Sequence, residues 1–272
     1  AQYDRLMREL EKLEEQYPEL RSPNSPTQRV GAPPLEAFEI VPHTIPMLSL
    51  ANAFDESETK EFDKRVKKFL GTSSDIEYVT EPKLDGLAVE LIYERGQFVV
   101  GSTRGDGVNG ENITQNLRTV KTIPLQLIRK EISAPERLEV RGEVIMQLNR
   151  FRELNRKREE AGEPLFANPR NASAGSVRQL DSKITAGRPL EIYCYGIGEV
   201  RGHTFKSHWE ILQTFPKWGL RVNSHIQRCK NIDEVIEYYH EMNEKREKLP
   251  YEIDGIVTKV NSLDLQARLG EI

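Results

Sequence analysis

The sequence predicts an α+β fold in which mostly antiparallel sheets are flanked by helices. Charged segments with helical character at 151–160 and 232–248 alternate with strands, but without the regular spacing of βαβ units. The strand candidates are short runs with apolar residues at alternating or nearly continuous positions: 87–93, 98–102, 138–146 and 190–197.

Composition limits the classes of protein to which the chain can belong. Its 272 residues suffice for one large domain, or one domain with a small appendage, and 37% hydrophobic with 30% charged residues indicates a soluble globular protein. No apolar run approaches the roughly 18 residues that span a bilayer, and no signal peptide is visible. A net charge of -4 argues against coating nucleic acid by bulk charge, although 39 Lys and Arg residues leave room for a local basic surface.

The two cysteines, Cys194 and Cys229, lack the paired spacing of a zinc site. They are typical of small core residues in a reducing compartment, so the sequence predicts a cytoplasmic protein without a structural metal site.

The amino-terminal part is predicted to be separate from the rest. Leucines at helical spacing predict a helix over 1–17, and the segment 30–34 has the composition of a linker. We therefore place a boundary near residue 37, which gives units of 1–37 and 38–272. A second helix is predicted after Ser57 as its N-cap and before Gly71 as its stop. Its apolar stripe comprises Phe62, Val66, Phe69 and Leu70.

The segment Glu81-Pro82-Lys83-Leu84-Asp85-Gly86 precedes the first strand candidate of the sheet region. In an extended chain Glu81, Lys83 and Asp85 point to one side, which places an amine between two carboxylates. A lysine acts as a nucleophile only as the neutral amine, and Gly86 permits close approach of a ligand or of another backbone. The alternative is a surface lysine in an ion-paired turn, and the segment alone favours that alternative.

Three further segments carry candidate site residues. Arg104 opens a loop with glycines at 105, 107 and 110 that can approach phosphate, or that is an ordinary solvated hairpin. Glu143 shares one strand face with Glu139 and Arg141. A charged face on an otherwise apolar strand indicates either a functional site or exposure to solvent. Lys259 lies in a β-branched run after Asp254-Gly255, which is a turn signal, and either reaches solvent or meets an anion.

Two further stretches contain residues that can contact nucleotides, one by stacking on a base and the other by binding backbone phosphates. Tyr195, next to Gly196, is suited to stacking on a base, although an ordinary core tyrosine is the alternative. The small-residue stretch 168–179 carries Arg170 and Arg178, which can contact phosphates without reading sequence, or which belong to a well-packed helix start.

Taken together, these segments resemble the covalent nucleotidyltransferase superfamily of DNA ligases, RNA ligases and capping enzymes. The resemblance rests on the order and spacing of four elements: Lys83-Leu84-Asp85-Gly86, the strand with Glu143, the strand with Tyr195, and Asp254 to Lys259. Further signatures narrow it to the NAD-dependent bacterial DNA ligases over the whole chain: Ser25 to Gly31, Pro46-Met47-Leu48-Ser49-Leu50, Thr103 to Gly107, and Phe166 to Asn171.

This resemblance implies an ATP-grasp-like nucleotidyltransferase domain that uses NAD and Mg²⁺. Lys83 would attack the α-phosphate of NAD, release nicotinamide mononucleotide (NMN) and carry AMP. Arg104 and Lys259 would face phosphate, and Asp85 would support the lysine or hydrated Mg²⁺. Residues implied to bind the cofactor are Tyr3, Asp4, Ser49, Leu50, Glu81, Gly86, Glu143 and Tyr195, with Tyr195 stacking on adenine and Glu143 contacting the ribose.

The resemblance also implies nicked double-stranded DNA as the partner, with Arg170 and Arg178 on its phosphates, and a monomeric enzyme of replication and repair. Relative to the family, the chain carries only the end of the NMN-binding helical subdomain, with Tyr3 and Asp4 matching. The last lysine motif and the OB-fold, zinc-finger, helix-hairpin-helix and BRCT regions are missing. We therefore expect adenine-nucleotide binding, weak or absent self-adenylation from NAD, and no nick sealing by this chain.

Two other functions share part of these features. An ATP-dependent ligase or capping-type enzyme shares the lysine chemistry but usually lacks the four NAD-type signatures. A non-catalytic nucleotide- or DNA-binding module belongs to another class, and it gains little from keeping Lys83, Glu143 and Lys259 together.

Overall fold

The computed structural model describes residues 2–22, 25–29 and 35–270, without the side chains of residues 2–4 and 28. Its α-helices in these ranges are α1 (Gln2–Gln16), α2 (Glu56–Leu70), α3 (Thr114–Thr119), α4 (Leu148–Glu160), α5 (Pro169–Val177), α6 (Ser182–Ala186), α7 (His208–Thr214), α8 (Ile232–Lys245) and α9 (Leu263–Leu269). Its strands are β1 (Ile40–Pro42), β2 (Tyr78–Leu84), β3 (Leu87–Glu94), β4 (Gln97–Thr103), β5 (Asn109–Glu111), β6 (Arg137–Met146), β7 (Leu190–Arg201), β8 (Gln227–Cys229) and β9 (Ile253–Val260).

The strands form three antiparallel sheets. The largest has the order β4-β3-β6-β7, the second has the order β8-β2-β9, and β1 pairs with β5. The predicted α+β class with antiparallel sheets is therefore confirmed.

The four-stranded sheet has one apolar and one polar face, as alternation predicted. Leu91, Leu138 and Val140 are fully buried in a core that also contains Leu117 and Trp218. The intervening positions on β6, which include Glu143, point to the opposite face. That polar face is where the candidate site lies.

The second sheet packs on its own core with α2 and α8. Tyr78 is fully buried there beside Val66 and Val235, and its hydroxyl donates to Asp63 at 2.8 Å. Ile145, near the end of β6, also belongs to this core. The two sheets therefore meet at the end of β6 that carries the candidate site.

Two details of α2 differ from prediction. The N-cap is Asp55, not Ser57, and its carboxylate accepts from the amide of Glu58. Phe69 was placed in the apolar stripe, but its side chain is 59% exposed because the stripe that packs is Phe62, Val66 and Leu70. Gly71 ends the helix in the left-handed conformation, as predicted.

The predicted turn at Asp254-Gly255 is wrong. Both residues lie inside β9, where Gly255 is opposite Lys83 of β2. The register shifts between Lys83 and Leu84. Pairing with β2 therefore overrides the local turn signal, and it brings Asp254 to the end of β2.

The segment 25–29 is attached to the main body through Arg29. Its guanidinium donates to the carbonyls of Arg118, Val120 and Ile123 at 2.8, 3.1 and 2.9 Å. The predicted linker at 30–34 and the side chains of Tyr3 and Asp4 lie outside the described residues. Among the helices that are described, none combines the length and apolarity needed to cross a bilayer.

Candidate active site

Lys83 lies near the end of β2 with its side chain 45% exposed. Its Nζ donates to Asp254 Oδ2 at 2.5 Å across the β2–β9 pair. The amine is therefore accessible, but the ammonium has to give up a proton before its lone pair can attack an electrophile.

The carboxylates around Lys83 differ from those that the extended segment predicted. Asp254, rather than Glu81 or Asp85, contacts its amine. Asp85 follows the strand and accepts from Arg170 at 3.0 Å, while Glu81 pairs with another lysine. The register shift after Lys83 removes Asp85 from the alternation that the prediction assumed.

Glu81 and Lys259 form a buried ion pair between β2 and β9. Lys259 Nζ donates to Glu81 Oε1 at 2.6 Å and to the carbonyl oxygen of Tyr195 at 2.9 Å. Burial by itself raises the pKa of Glu81, but Lys259 and His208 outweigh it and lower that pKa overall. Glu81 therefore stays ionised and holds the lysine ammonium beside Tyr195.

His208 lies beside both members of this ion pair, although the sequence analysis assigned it no role. Its Nε2 is 3.5 Å from Lys259 Nζ and 3.8 Å from Glu81 Oε1. Burial and the positive charge of Lys259 lower the pKa of His208. Its position 51 residues before Lys259 leaves no local signal, because only the fold brings α7 to β9.

Glu143 faces the space beside Lys83. It lies on β6 opposite Ala88 and interacts with Arg170, Lys83 and Asp85. Burial raises the pKa of Glu143 from 4.5 to about 8, although Arg170, the amide of Gly86 and Lys83 oppose the rise. A partly protonated carboxyl near neutral pH can both donate and accept hydrogen bonds.

This raised pKa predicts a pH dependence of stability. A carboxyl whose folded-state pKa exceeds its unfolded value contributes stability that is lost as pH rises, here between about 4.5 and about 8. We expect Glu143→Gln to gain stability relative to the wild type as pH rises from 5 to 9. Urea unfolding of both proteins across this range tests the prediction, and a constant difference would contradict it.

Gly86 lets β3 begin directly against β6. A Cβ at this position would lie 2.3 Å from the carbonyl oxygen of Val144 and 3.1 Å from Glu143 Cγ. We expect Gly86→Ala to destabilise the fold by about 1–3 kcal/mol, because the clash is with backbone that cannot move aside.

A matched control for Gly86→Ala is Gly187→Ala, where the nearest atom to a new Cβ is at an ordinary 3.5 Å. Chemical denaturation of the two variants compares them. Equal stability of both would contradict the close approach at Gly86.

Arg104 connects two segments that we name the strap (residues 40–50) and the glycine loop (residues 103–111). Its Nε donates to the carbonyl of Met47 at 2.9 Å and its Nη2 to Ser49 Oγ at 2.8 Å. Ser49 and Leu50 are exposed, Leu50 to 57%. The guanidinium therefore orders a solvent-accessible edge that a ligand can reach.

Tyr195 is the residue around which these groups assemble. Its ring centroid is 5.2 Å from Lys259 Nζ. Burial raises the pKa of Tyr195, and the charges of Glu143 and Glu81 add to the rise, whereas those of Arg141 and Arg104 oppose it. The structure thus gathers Glu81, Glu143, Lys259 and Arg104 about one partly buried aromatic ring.

Arg170 and Arg178 lie at opposite ends of α5. Arg170 is bonded to Asp85 next to Lys83, whereas Arg178 pairs with Glu111 at 2.6 Å. Both side chains remain more than half exposed, at 59% and 52%. Only Arg170 is therefore in contact with the residues around Lys83.

A cavity of about 500 Å³ lies elsewhere, between Lys121, Pro124, Leu220 and Arg221. None of the residues predicted for the site lines it. A nucleotide bound in this cavity would contact none of those residues.

The fold and the lysine-centred site define a nucleotidyltransferase of the adenylation-domain type. Residues 35–272 match the family described as NAD-dependent DNA ligase adenylation domain, and residues 1–31 match the DNA ligase-like N-terminal NAD+-binding domain. The chain belongs to the NAD-dependent DNA ligase family.

Relatives agree with this assignment. The chain is similar to "DNA ligase" of Geotalea uraniireducens (62% identity), of Geobacter sulfurreducens (60%) and of a Thermoanaerobacter species (54%). These matches cover 99–100% of the chain. The chain spans about 40% of the length of each of these relatives.

Proposed function

We propose that Lys83 takes up AMP from NAD and that the adenylyl group then passes to the 5′-phosphate of a DNA nick. The observation that carries this proposal is the surroundings of Lys83: an exposed amine next to Glu143, Asp85 and Arg170. Such an arrangement suits phosphoryl transfer, which depends on positioning and on charge stabilisation.

In the proposed step Lys83 Nζ forms a bond to the α-phosphorus of NAD. The phosphorus–oxygen bond to NMN breaks, and its electron pair leaves with NMN. Asp254, which contacts Nζ, is placed to take the proton that the amine loses. The product is AMP joined to Lys83 as a phosphoramidate.

The adenosine half is proposed to bind around Tyr195. Its ring would stack on adenine, and Glu81, Ser49 and Leu50 would complete the pocket, with Glu143 contacting the ribose. Gly86 would take part in the pocket through its backbone. Arg104 and Lys259 would face the phosphates, and their present contacts with Ser49 and Glu81 keep both cations at this pocket.

Mg²⁺ is proposed to bind mainly through phosphate and water. Among the described residues no three His, Cys, Asp or Glu side chains stand close enough to hold a metal ion together. Mg²⁺ commonly binds through one or two carboxylates and substrate phosphates, and Asp85 offers one carboxylate beside Lys83. The ion would offset charge on the reacting phosphates.

For the whole protein we propose nick sealing in DNA replication and repair by a monomeric cytoplasmic enzyme. Tyr3 and Asp4 would contact the NMN half of NAD. Arg170 and Arg178 would contact phosphates of the nicked duplex, because both are exposed and arginine binds phosphate through several donors. The units 1–37 and 38–272 would be the end of the NMN-binding subdomain and the adenylation domain.

The choice between NAD and ATP is tested by intact-mass measurement after incubation of the full-length protein with each nucleotide and Mg²⁺. We expect a gain of one adenylyl group from NAD and none from ATP. Labelling by ATP would indicate an ATP-dependent ligase or capping-type enzyme. No labelling by either, together with tight AMP binding, would indicate a non-catalytic nucleotide-binding module.

A further inference from the structure

His43 lies in the strap and is completely buried with its partner Glu90. Its Nδ1 is 2.9 Å from Glu90 Oε2, and its Nε2 is 3.1 Å from the carbonyl oxygen of Arg104. The side chain therefore bridges β3 and the first residue of the loop that leaves β4.

Both partners of the His43 ring accept hydrogen bonds. A carbonyl oxygen has no proton to give, and Glu90 also accepts from Arg141 through its other oxygen, at 3.4 Å. A neutral imidazole has one N–H, so only the doubly protonated ring donates to both partners at once. The charged groups that face this bridge are Glu90 on β3, Arg141 on β6 and Arg104 in the glycine loop.

The bridge closes a ring of contacts through Arg104. His43 holds the backbone of Arg104, and the side chain of Arg104 returns to the strap at Met47 and Ser49. The amides of His43 and Met47 also donate to the glycine loop, at the carbonyls of residues 108 and 107. The His43 side chain therefore adds a buried contact at Arg104 to the backbone hydrogen bonds that already join the strap and the glycine loop.

We propose that His43, as a buried imidazolium, is a positioning residue that aligns Arg104 and Ser49 to receive the nucleotide. This proposal rests on the proposed function for its consequence, but the protonation of His43 stands independently of it. The side chain of His43 is buried and acts through Arg104.

The first test is the ¹⁵N NMR spectrum of the His43 ring in the wild-type protein. We expect protons on both ring nitrogens at neutral pH. A ring with one N–H, as arises if Glu90 carries the proton, would overturn the proposal. This measurement needs no variant and no nucleotide, so it remains decisive if the proposed function fails.

The second test measures the dissociation constant of AMP for His43→Gln. A glutamine amide cannot donate at both ends, and we expect AMP binding to weaken about tenfold. The matched control is Thr44→Val, which removes the adjacent strap contact of Thr44 with Glu139 but leaves Arg104 untouched. This control should change the dissociation constant by about twofold or less.

A double-mutant cycle then separates positioning from a general structural role. If His43 acts through Arg104, His43→Gln should weaken AMP binding in the wild type but have little further effect in Arg104→Ala. Equal and additive losses in both backgrounds would overturn the proposal. If the wild-type protein does not bind AMP, the proposed function is refuted. The NMR spectrum then still decides whether the His43 ring is protonated at both nitrogens.

Discussion

Lys83→Ala is expected to abolish covalent uptake of AMP while leaving the fold intact. The side chain is exposed at the end of β2, and its one described hydrogen bond is a surface contact with Asp254, so its loss costs little stability. No other group takes over the step, because bond formation needs an amine at this position. The intact mass of the full-length wild type and variant after incubation with NAD and Mg²⁺ provides the measurement.

Two variants make this result specific. Lys83→Arg keeps the positive charge but should also fail, because a guanidinium stays protonated and does not attack phosphorus. Lys230→Arg, at another exposed lysine, should be labelled like the wild type. An adduct on Lys83→Ala of the same yield as on the wild type would mean that another residue is the nucleophile.

The second large effect is expected from Lys259→Met. It leaves the carboxylate of Glu81 without its main partner, at a position where that side chain is only 6% exposed. Removing one member of a buried pair costs about 3 kcal/mol or more, because a charge stays buried without compensation. Urea unfolding at pH 7 should show this loss, and nucleotide labelling should also fall.

Adding Glu81→Gln to Lys259→Met should recover much of the lost stability, since the uncompensated charge is then gone. The loss should also shrink in acid. Because the folded-state pKa of Glu81 is lowered, its ionised form contributes stability that disappears as pH falls through that pKa.

The surface pair Lys245–Glu241 provides the control for the buried pair. Both of its side chains are about half exposed, so Lys245→Met should cost less than about 1 kcal/mol. A similar small cost for Lys259→Met would show that the pair with Glu81 is not the stabilising contact that the geometry indicates.

The four strands of the largest sheet were predictable because their pattern is local. Leu138 and Val140 on β6 alternate with charged residues, and the two apolar side chains enter the main core. Glu139 between them is also buried, but it accepts hydrogen bonds from Thr44 and Arg137 on the other face. The N-cap of α2 could not be predicted in the same way. Asp55 and Ser57 are both competent N-cap residues, and the local sequence does not choose between them.

Contacts between distant segments account for what sequence reasoning missed at the site. Lys83 and Asp254 are 171 residues apart, and their contact exists only because β2 and β9 pair in one register. The same pairing places Asp254 and Gly255 inside a strand, although this dipeptide is typical of a turn. His43 and His208 are single histidines without a motif around them, and only the packing of the strap and of α7 gives them partners.

A crystal structure of the full-length protein after incubation with NAD and Mg²⁺ would show whether Lys83 carries AMP. We expect adenine against the ring of Tyr195, the ribose beside Glu143, and continuous density from the α-phosphorus to Lys83 Nζ. A nucleotide seated in the cavity between Lys121 and Arg221, with Lys83 still bonded to Asp254, would contradict the account.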